Sequence, residues 1–363
     1  MHSQATSTVT APVSRNYGID MLRIVAMIMV VMLHALGQGG ILSSVTPGTP
    51  HYHIAWLLEI ACFCSVNCYA LISGYVLFDK HFAFSKLIHL WLIIVFYSLT
   101  ITLIMIACGL APFDKKLLMV SIVPIIKGHY WYLTAYFGVY LLSPLFNAAI
   151  QGLDRALLKK LFLVGFILIV SIPAVLERDP FCLQHGYSMI WLSLLYAVGA
   201  YLKKYDDYSQ KKTLVLDLCI FLGAVLVTYL TKLLLPSKEI FISFASPTMV
   251  VAAIAVFNLC RRIAINGFIK KIICLFAPAA LSVYIIHVHP LIWNNYLRDF
   301  SISFVNEPLP YFIAKVIASV LLIWFVCSII DLIRLQLFKG IRVRQFCERI
   351  ESTLTRRIFH SKN

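Results

Sequence analysis

The sequence predicts an all-α membrane protein that crosses the bilayer about ten times and keeps both termini in the cytoplasm. Three observations support this fold class. Of the 363 residues, 61% are apolar and only 13% are charged. A soluble domain is about 45–50% apolar and about 25% charged, so a soluble enzyme, a disordered protein and a collagen-like fibre are excluded. The apolar residues also fall in long runs, and the basic residues collect between those runs.

Ten runs have the composition of a bilayer-spanning helix, which needs about 20 mostly apolar residues. In chain order, the expected spans are 17–37, 54–78, 88–110, 131–149, 157–176, 188–202, 213–235, 240–259, 272–293 and 310–334. The sixth is the shortest and contains Gly199, and Pro247 is expected to kink the eighth. Residues 17–335 are therefore expected to form one membrane domain, between a short cytoplasmic N-terminal tail, 1–16, and a basic cytoplasmic C-terminal tail, 336–363.

The basic residues assign the two sides of the membrane. The formal net charge is +15, from 31 Lys and Arg against 16 Asp and Glu. With these spans, 22 of the 31 cations fall on the side that holds both termini and 7 fall on the other, while Arg23 and Lys315 lie within spans. Because cytoplasmic loops collect Lys and Arg, both termini are expected in the cytoplasm. The excess charge therefore indicates topology rather than a nucleic-acid partner.

The spacing of the ten cysteines predicts neither a disulfide framework nor a metal site. Seven of them lie inside apolar runs, where cysteine behaves as a small hydrophobic residue. Only Cys108 and Cys182 could meet in an oxidising compartment. No spacing typical of zinc ligands occurs, so no metal is expected.

The first span carries the most informative polar residues, because ionisable groups inside a bilayer are costly and are functional candidates by default. Arg23 and His34 lie 11 residues apart. On a helix this spacing returns them to within about 20° of one face and separates them by about 16 Å along the axis. Pairing with Asp20 at i,i+3 and snorkelling to the interface would explain Arg23 equally well. His34 lies deeper, and a function is the favoured interpretation.

The second span carries polar residues at two depths. Glu59 lies at a depth like that of His34, where a carboxylate could orient the imidazole and fix its tautomer. Ser73 and Gly74 lie at the depth of Arg23, where glycine allows a ligand or another helix to come close. Plain helix packing through small residues explains the Ser73-Gly74 pair equally well.

Aromatic and histidine residues mark the start of the fourth span. The segment His129-Tyr-Trp-Tyr132 contains rings with polar tips, which can stack on sugar rings. For Tyr130 and Tyr132, an aromatic belt at the membrane interface is the favoured interpretation.

The ninth span carries Tyr284, His287 and His289 near its outer end. Two histidines at i,i+2 of a helix point away from each other, so they are not expected to bind a metal together. The candidate residues for an acceptor site or pocket are His129, Trp131, Tyr284 and His287.

The first span contains Arg23 and, after ten further residues, His34. This arrangement resembles the start of the acyltransferase family 3 membrane proteins. Three further stretches agree in order: Ile72–Tyr75, His129–Leu133 with Tyr140–Pro144, and Ser282–His287. The resemblance covers about residues 17–335. The chain looks similar to stand-alone members that O-acetylate enterobacterial common antigen or surface polysaccharides.

The chain departs from the family pattern in one stretch. Members often carry a Phe pair shortly before the Ser-Gly step, where this chain has Asn67-Cys-Tyr-Ala. The departure bears on the acceptor or acyl specificity more than on the reaction type. The esterase-like domain that some members append is not expected, so the membrane domain or a partner would handle the acceptor.

The resemblance implies a multi-pass enzyme of the bacterial inner membrane. It would move an acyl group, expected to be acetyl, from acyl-CoA at the cytoplasmic side to a hydroxyl of a cell-envelope glycan or lipid-linked sugar. Arg23, Ser73 and Gly74 would bind acyl-CoA. His34 would act as general base or carry the acyl group itself, with Glu59 orienting it. No permanently bound cofactor is expected, and the expected partners are acyl-CoA, the saccharide acceptor, membrane lipid and a possible second copy of the chain.

The sequence is also compatible with two other functional classes. A transporter or flippase of a lipid-linked sugar could use embedded Arg, His and Glu as a substrate or proton path. A non-catalytic membrane scaffold would not need Arg23, His34 or Glu59 individually. An acyltransferase releases free thiol from acetyl-CoA, whereas a flippase does not.

Overall fold

The computed structural model describes residues 15–205, 214–235 and 240–359. Every regular element in these ranges is helical, which confirms the all-α prediction. Nearly all of the expected N-terminal tail lies outside the described residues, and so do four of the sorted cations: Lys211, Lys212, Lys238 and Lys362.

The helices follow one another with short connections. They are α1 (Tyr17–Leu36), α2 (Ile41–Ser44), α3 (Pro50–Cys62), α4 (Ser65–Leu77), α5 (Phe84–Ala107), α6 (Lys115–Ile122), α7 (Trp131–Gly152), α8 (Arg155–Gly165), α9 (Ile172–Leu176), α10 (Met189–Lys204), α11 (Leu214–Leu234), α12 (Pro247–Arg262), α13 (Gly267–Phe276), α14 (Ala280–His287), α15 (Pro290–Ile292), α16 (Leu309–Gly340) and α17 (Val343–Phe359). A π-helical stretch joins α8 to α9, and a 3-10 turn joins α13 to α14.

Eight helical segments of the described chain are long and apolar enough to cross a membrane, so the chain is a multi-pass membrane protein. They are Tyr17–Ser44, Pro50–Leu77, Phe84–Ala107, Trp131–Gly152, Arg155–Leu176, Leu214–Leu234, Gly267–His287 and Leu309–Gly340. The other two expected spans correspond to α10 and α12, which have 16 residues each. These two helices are shorter than the roughly 20 residues that a full crossing needs.

The expected kink at Pro247 is wrong, because Pro247 is the first residue of α12. Proline is tolerated at the first helical position, where its missing N–H would have no partner within the helix. The Ser246 side chain caps the same end by accepting a hydrogen bond from the Met249 N–H at 3.3 Å.

Helix α1 lies inside the bundle, in contact with α3, α4, α12, α13, α14 and α16. Small residues allow α4 and α10 to approach each other closely. A side chain at Gly74 would meet the backbone of Tyr196, and one at Gly199 would meet the backbone of Leu71. Close packing through small residues is a main source of helix association in membranes. The two glycines therefore hold α4 and α10 together.

Residues from distant parts of the chain meet at the end of the bundle near Arg23. Arg15 pairs with Asp20 at 2.6 Å, the Asn16 amide donates to the Arg261 carbonyl at 3.0 Å, and Lys203 lies 3.5 Å from Asp79. These cations were assigned to one side of the membrane from the sequence. We call this the Arg23 end of the bundle and the opposite end the His34 end.

The C-terminal region continues as helix beyond the expected span. The boundary expected at residue 335 falls inside α16, which runs to Gly340. Helix α17 packs on α5, and the Glu351 carboxylate accepts the Phe84 N–H at 2.7 Å and the Ser85 N–H at 3.2 Å. Burial opposes ionisation of Glu351, but the hydrogen bonds from Ser85 and Phe84 outweigh it and lower the pKa of this carboxyl group. The carboxylate thus caps the start of α5.

Candidate functional site

A cavity of about 460 Å³ lies at the His34 end of the bundle. Its walls come from α1, α3, α4, α7, the segments before α10 and α12, and the region from α14 to Asn294. The polar and aromatic residues that line it are His34, Gln38, Glu59, Phe63, Tyr69, His129, Trp131, Tyr132, Tyr187, Phe244, Tyr284, Trp293 and Asn294. We call it the histidine cavity.

His34 contacts a second histidine that the sequence had not paired with it. Nδ1 of His34 lies 2.8 Å from Nε2 of His287, although 253 residues separate the two along the chain. The edge of the His34 ring also packs on Trp293, with ring centroids 5.3 Å apart. His287 itself is buried on α14. His287 therefore supports His34 within the packed bundle.

The hydrogen bonds define the protonation of both neutral rings. Nδ1 of His287 lies 2.6 Å from the Val283 carbonyl oxygen, and a carbonyl can only accept, so this nitrogen carries the hydrogen. Nε2 of a neutral His287 is then an acceptor, and Nδ1 of His34 must donate to it. The remaining nitrogen of His34, Nε2, keeps its lone pair. This is the tautomer that a general base requires.

Glu59 lies in the wall of the histidine cavity, at the depth expected from the sequence. No hydrogen bond joins Glu59 to His34, and Nδ1 of His34 contacts His287 instead. Glu59 is 7% exposed, and its Oε2 has no hydrogen-bond partner among the described residues. The structure thus brings Glu59 and His34 into one cavity but gives the orienting contact to His287.

Three of the four expected acceptor residues, His129, Trp131 and Tyr284, line the histidine cavity. Burial and then the charge of Lys127 lower the pKa of His129. The belt interpretation of Tyr130 and Tyr132 is wrong. Tyr130 is fully buried and Tyr132 lines the cavity, because α7 begins inside the bundle rather than at its lipid-facing surface.

Asn67 is a positioning residue that sequence reasoning did not assign. Its side chain is fully buried, and its amide donates to the Phe244 carbonyl at 2.8 Å. Its Oδ1 accepts from the Trp191 indole N–H at 3.0 Å. Asn67 therefore ties the segment before α12 to α4 and α10, and places Phe244 in the cavity wall. The only signal in the sequence was the departure from the family's Phe pair at this point.

A second cavity of about 380 Å³ lies at the Arg23 end. We call it the arginine cavity. Its polar lining residues are Arg23, Tyr69, Ser73, Lys86, His89, Tyr132, Tyr136 and Tyr140. Arg23 donates to Asp20 at 2.7 Å, as the i,i+3 spacing predicts, and Arg15 holds the other oxygen of the same carboxylate. Asp20 thus fixes Arg23 in the wall and leaves part of its guanidinium for a ligand.

Ser73 and Gly74 have different surroundings. Ser73 lines the arginine cavity, and its hydroxyl donates to the Tyr69 carbonyl at 2.8 Å. Gly74 faces the backbone of α10 and is not among the residues that line the arginine cavity. Helix packing, rather than contact with a ligand, therefore describes the role of Gly74.

The two cavities meet at three side chains, Tyr69, Tyr132 and Leu281, which line both of them. The ring centroids of Tyr69 and Tyr132 lie 6.1 Å apart. The Tyr69 hydroxyl donates to the Arg23 carbonyl at 2.6 Å, which anchors that ring to α1. We call these three residues the constriction. They lie between the part of the bundle that holds Arg23 and the part that holds His34.

Within the part of the chain that the structure describes, no group of three His, Cys, Asp or Glu residues could hold a metal ion. His287 and His289 contact different partners, since His289 lies 3.2 Å from the Ser98 carbonyl. Cys108 and Cys182 are free thiols.

The two cavities carry different chemical groups. One cavity offers a fixed cation, and the other offers an imidazole with a free lone pair. Both groups belong to α1 and are about 16 Å apart along its axis. The site can therefore bind an anionic group at one end of a long ligand and remove a proton at the other.

Comparison with known proteins identifies the family of the chain. A family model described as an acyltransferase domain matches residues 16–328, a region that includes both cavities and the constriction. No curated protein and no solved structure matches the chain significantly. The match covers most of the chain, so this protein belongs to acyltransferase family 3.

Proposed function

We propose that this membrane acyltransferase moves an acetyl group from acetyl-CoA to a hydroxyl of a cell-envelope glycan or lipid-linked sugar. The observation that carries the proposal is the contact between His34 and His287, which leaves Nε2 of His34 with its lone pair in a cavity that meets the arginine cavity. Such a nitrogen can take the proton of an alcohol at the moment of attack.

In the proposed reaction, the donor enters from the arginine cavity. Arg23 binds a phosphate oxygen of coenzyme A, and Lys86 adds a second cation in the same lining. The narrow pantetheine arm then passes Tyr69, Tyr132 and Leu281. This path carries the thioester towards His34 and leaves the nucleotide on the other side of the constriction.

The transfer step uses His34 as the base, and His34 later gives the proton to the coenzyme A thiolate. The acceptor hydroxyl gives its proton to Nε2 of His34, and its oxygen attacks the thioester carbonyl carbon. The carbon–sulfur bond breaks, and the coenzyme A thiolate takes the proton back from His34. In the alternative route, Nε2 attacks the thioester first and the acetyl group is carried on His34 before it reaches the acceptor.

We further propose that the Arg23 end faces the cytoplasm of a bacterial inner membrane. The Lys and Arg residues gathered at that end agree with the enrichment of cations in cytoplasmic loops. This orientation would give the donor cavity access to cytosolic acetyl-CoA and the acceptor cavity access to the envelope side.

The proposed function is tested with the purified protein and radiolabelled acetyl-CoA. We expect acceptor-dependent release of coenzyme A thiol and an equal amount of label in the saccharide. A flippase would move a lipid-linked sugar across a vesicle membrane without releasing thiol. Saccharide translocation with no thiol release would therefore replace the proposal by the transporter alternative.

His287 is expected to act through His34 rather than on the substrate. Replacing it by Leu removes the acceptor for the Nδ1 hydrogen, so His34 can adopt the tautomer with Nε2 protonated. We expect kcat to fall about 10-fold, while the KM for acetyl-CoA stays unchanged. In His287→Gln, a side-chain carbonyl can accept the same hydrogen and should restore much of kcat. Equal losses in the Leu and Gln variants would contradict this positioning role.

Leu281 is expected to control passage between the cavities. A Trp at this position would fill the space beside Tyr69 and Tyr132, so transfer should be lost while coenzyme A binding to the arginine cavity is retained. Overpacking carries a cost of about 1–3 kcal/mol, and thermal unfolding must therefore be measured together with activity. Leu281→Met conserves volume and is the matched control, with near-normal transfer expected. A Trp variant with normal turnover would exclude this route for the donor.

A further inference from the structure

Glu59 is a buried carboxylate that the proposed transfer step does not use. It belongs to α3, lines the histidine cavity and is 7% exposed. Its Oε2 has no hydrogen-bond partner anywhere in the described ranges. A buried carboxylate oxygen without a donor is costly. Its position in a cavity wall therefore points to a ligand that supplies the donor.

Four aromatic rings pack against one another in the wall of the same cavity. They are Phe63, Trp131, Tyr187 and Phe244, and we call them the aromatic wall. Ring centroids are 4.5 Å apart for Trp131 and Tyr187, 5.0 Å for Tyr187 and Phe244, and 5.1 Å for Phe63 and Phe244. Each ring thus packs on its neighbour. The four residues come from different segments, and the hydrogen bond from Asn67 holds the segment that carries Phe244.

The carboxylate lies beside this wall. Glu59, Tyr187 and the other rings of the aromatic wall line the same cavity. An apolar ring surface beside a hydrogen-bond acceptor limits which ligands can bind in this cavity. A ligand must present a flat C–H face to the wall and an O–H or N–H donor at its rim.

A pyranose ring has these features, and a quaternary ammonium fits less well. An aromatic cage for a cation surrounds a gap with several ring faces. Here the rings contact one another at centroid distances of 4.5–5.1 Å and interplanar angles of 39–52°, so the neighbouring rings enclose no gap for a cation. We propose that Glu59 and the aromatic wall form the acceptor subsite, where a pyranose ring packs on Trp131 and Tyr187 and donates a hydroxyl hydrogen to Oε2 of Glu59.

This inference rests on the proposed function and assigns Glu59 to the acceptor rather than to His34. The subsite and His34 share one cavity, so a sugar held by one hydroxyl at Glu59 can present another hydroxyl to Nε2 of His34. Glu59 is then a positioning residue for the acceptor. Its loss should weaken the use of the acceptor far more than the reaction of the thioester with water.

The test compares the wild type with Glu59→Met, Trp131→Ala and a control, Glu307→Met. Glu307 pairs with Lys315 and is not among the residues that line either cavity. The proteins are purified in a detergent without a sugar headgroup, because a glycoside detergent would occupy the subsite. Methyl glucopyranoside is the probe, and the open-chain polyol glucitol, which has hydroxyls but no ring face, is the comparison. Three readouts are acetyl transfer, acceptor-independent hydrolysis of acetyl-CoA, and binding of methyl glucopyranoside by calorimetry.

We expect the wild type and Glu307→Met to prefer the pyranoside to glucitol. Glu59→Met removes the hydrogen-bond acceptor and should raise the KM for the pyranoside about 10-fold with a much smaller change in hydrolysis, and Trp131→Ala should remove the preference for the ring. Equal loss of hydrolysis and transfer in Glu59→Met, or binding of choline without binding of the pyranoside, would overturn the subsite. Pyranoside binding that depends on Glu59 and Trp131 without any turnover of acetyl-CoA would support the subsite and contradict the proposed function.

Discussion

Replacing His34 by Ala or Gln is expected to reduce the rate of acetyl transfer by at least about 100-fold, because a positioned general base typically contributes 10²–10⁴-fold. The donor still has Arg23 and the arginine cavity, so the affinity for coenzyme A should change little. The measurement is release of thiol from acetyl-CoA under saturating acceptor, together with a binding isotherm for coenzyme A. The decrease should therefore appear in kcat and not in donor binding.

A matched control is His81→Ala, since His81 is exposed in the connection before α5 and lines neither cavity. It should retain wild-type turnover. A brief reaction without acceptor, followed by mass spectrometry of the peptide that contains His34, separates the two chemical routes. An added acetyl group on that peptide would establish the acyl-histidine route. Wild-type turnover by His34→Ala would end the assignment of His34 as base or acyl carrier.

Arg23→Ala is expected to weaken donor binding. A hydrogen bond to a charged group contributes about 1.5–3 kcal/mol, which corresponds to a rise of about 10- to 100-fold in the Kd of coenzyme A. The chemical step does not involve Arg23, so kcat at saturating acetyl-CoA should fall much less than in the His34 variants. Arg23→Lys keeps the charge but loses the planar fork, and should give an intermediate Kd.

Arg15→Ala is the matched control, because Arg15 pairs with the same carboxylate as Arg23. Asp20 holds Arg15 at 2.6 Å through Oδ2 and Arg23 at 2.7 Å through Oδ1. Arg15 is not among the residues that line the arginine cavity. Arg15→Ala should therefore bind coenzyme A normally. An unchanged Kd in Arg23→Ala would mean that Arg23 only anchors α1 through Asp20.

The sequence predicted the fold class and much of α1 correctly, because both depend on local rules. Span length follows from bilayer thickness, and the apolar runs showed it directly. The i,i+3 pair of Asp20 and Arg23 and the placement of Arg23 and His34 along one helix follow from helix periodicity. The expected count of ten spans included α10 and α12, which have only 16 residues each, because hydropathy alone does not define helix ends.

Most of the site could not be predicted, because its contacts join residues that are far apart along the chain. The sequence placed Glu59 at the right depth, but hydropathy and spacing do not reveal which of two polar residues reaches His34. His287 was a candidate for the acceptor site, and the structure instead places it behind His34 at 2.8 Å. Neither Tyr187 nor Phe244 carried a signal, since single aromatic residues near helix ends usually belong to the interface.

The sequence by itself determined that the chain is an all-α membrane protein, that Arg23 and His34 share the first helix, and that the ordered motifs resemble acyltransferase family 3. These features arise from bilayer thickness, helix geometry and residue order. Tertiary structure alone decided that His287 sets the tautomer of His34, that Tyr69, Tyr132 and Leu281 separate two cavities, and that Asn67 places Phe244 in the wall. The physical reason is that each depends on how helices pack across the bundle, and neither hydropathy nor periodicity encodes which faces meet.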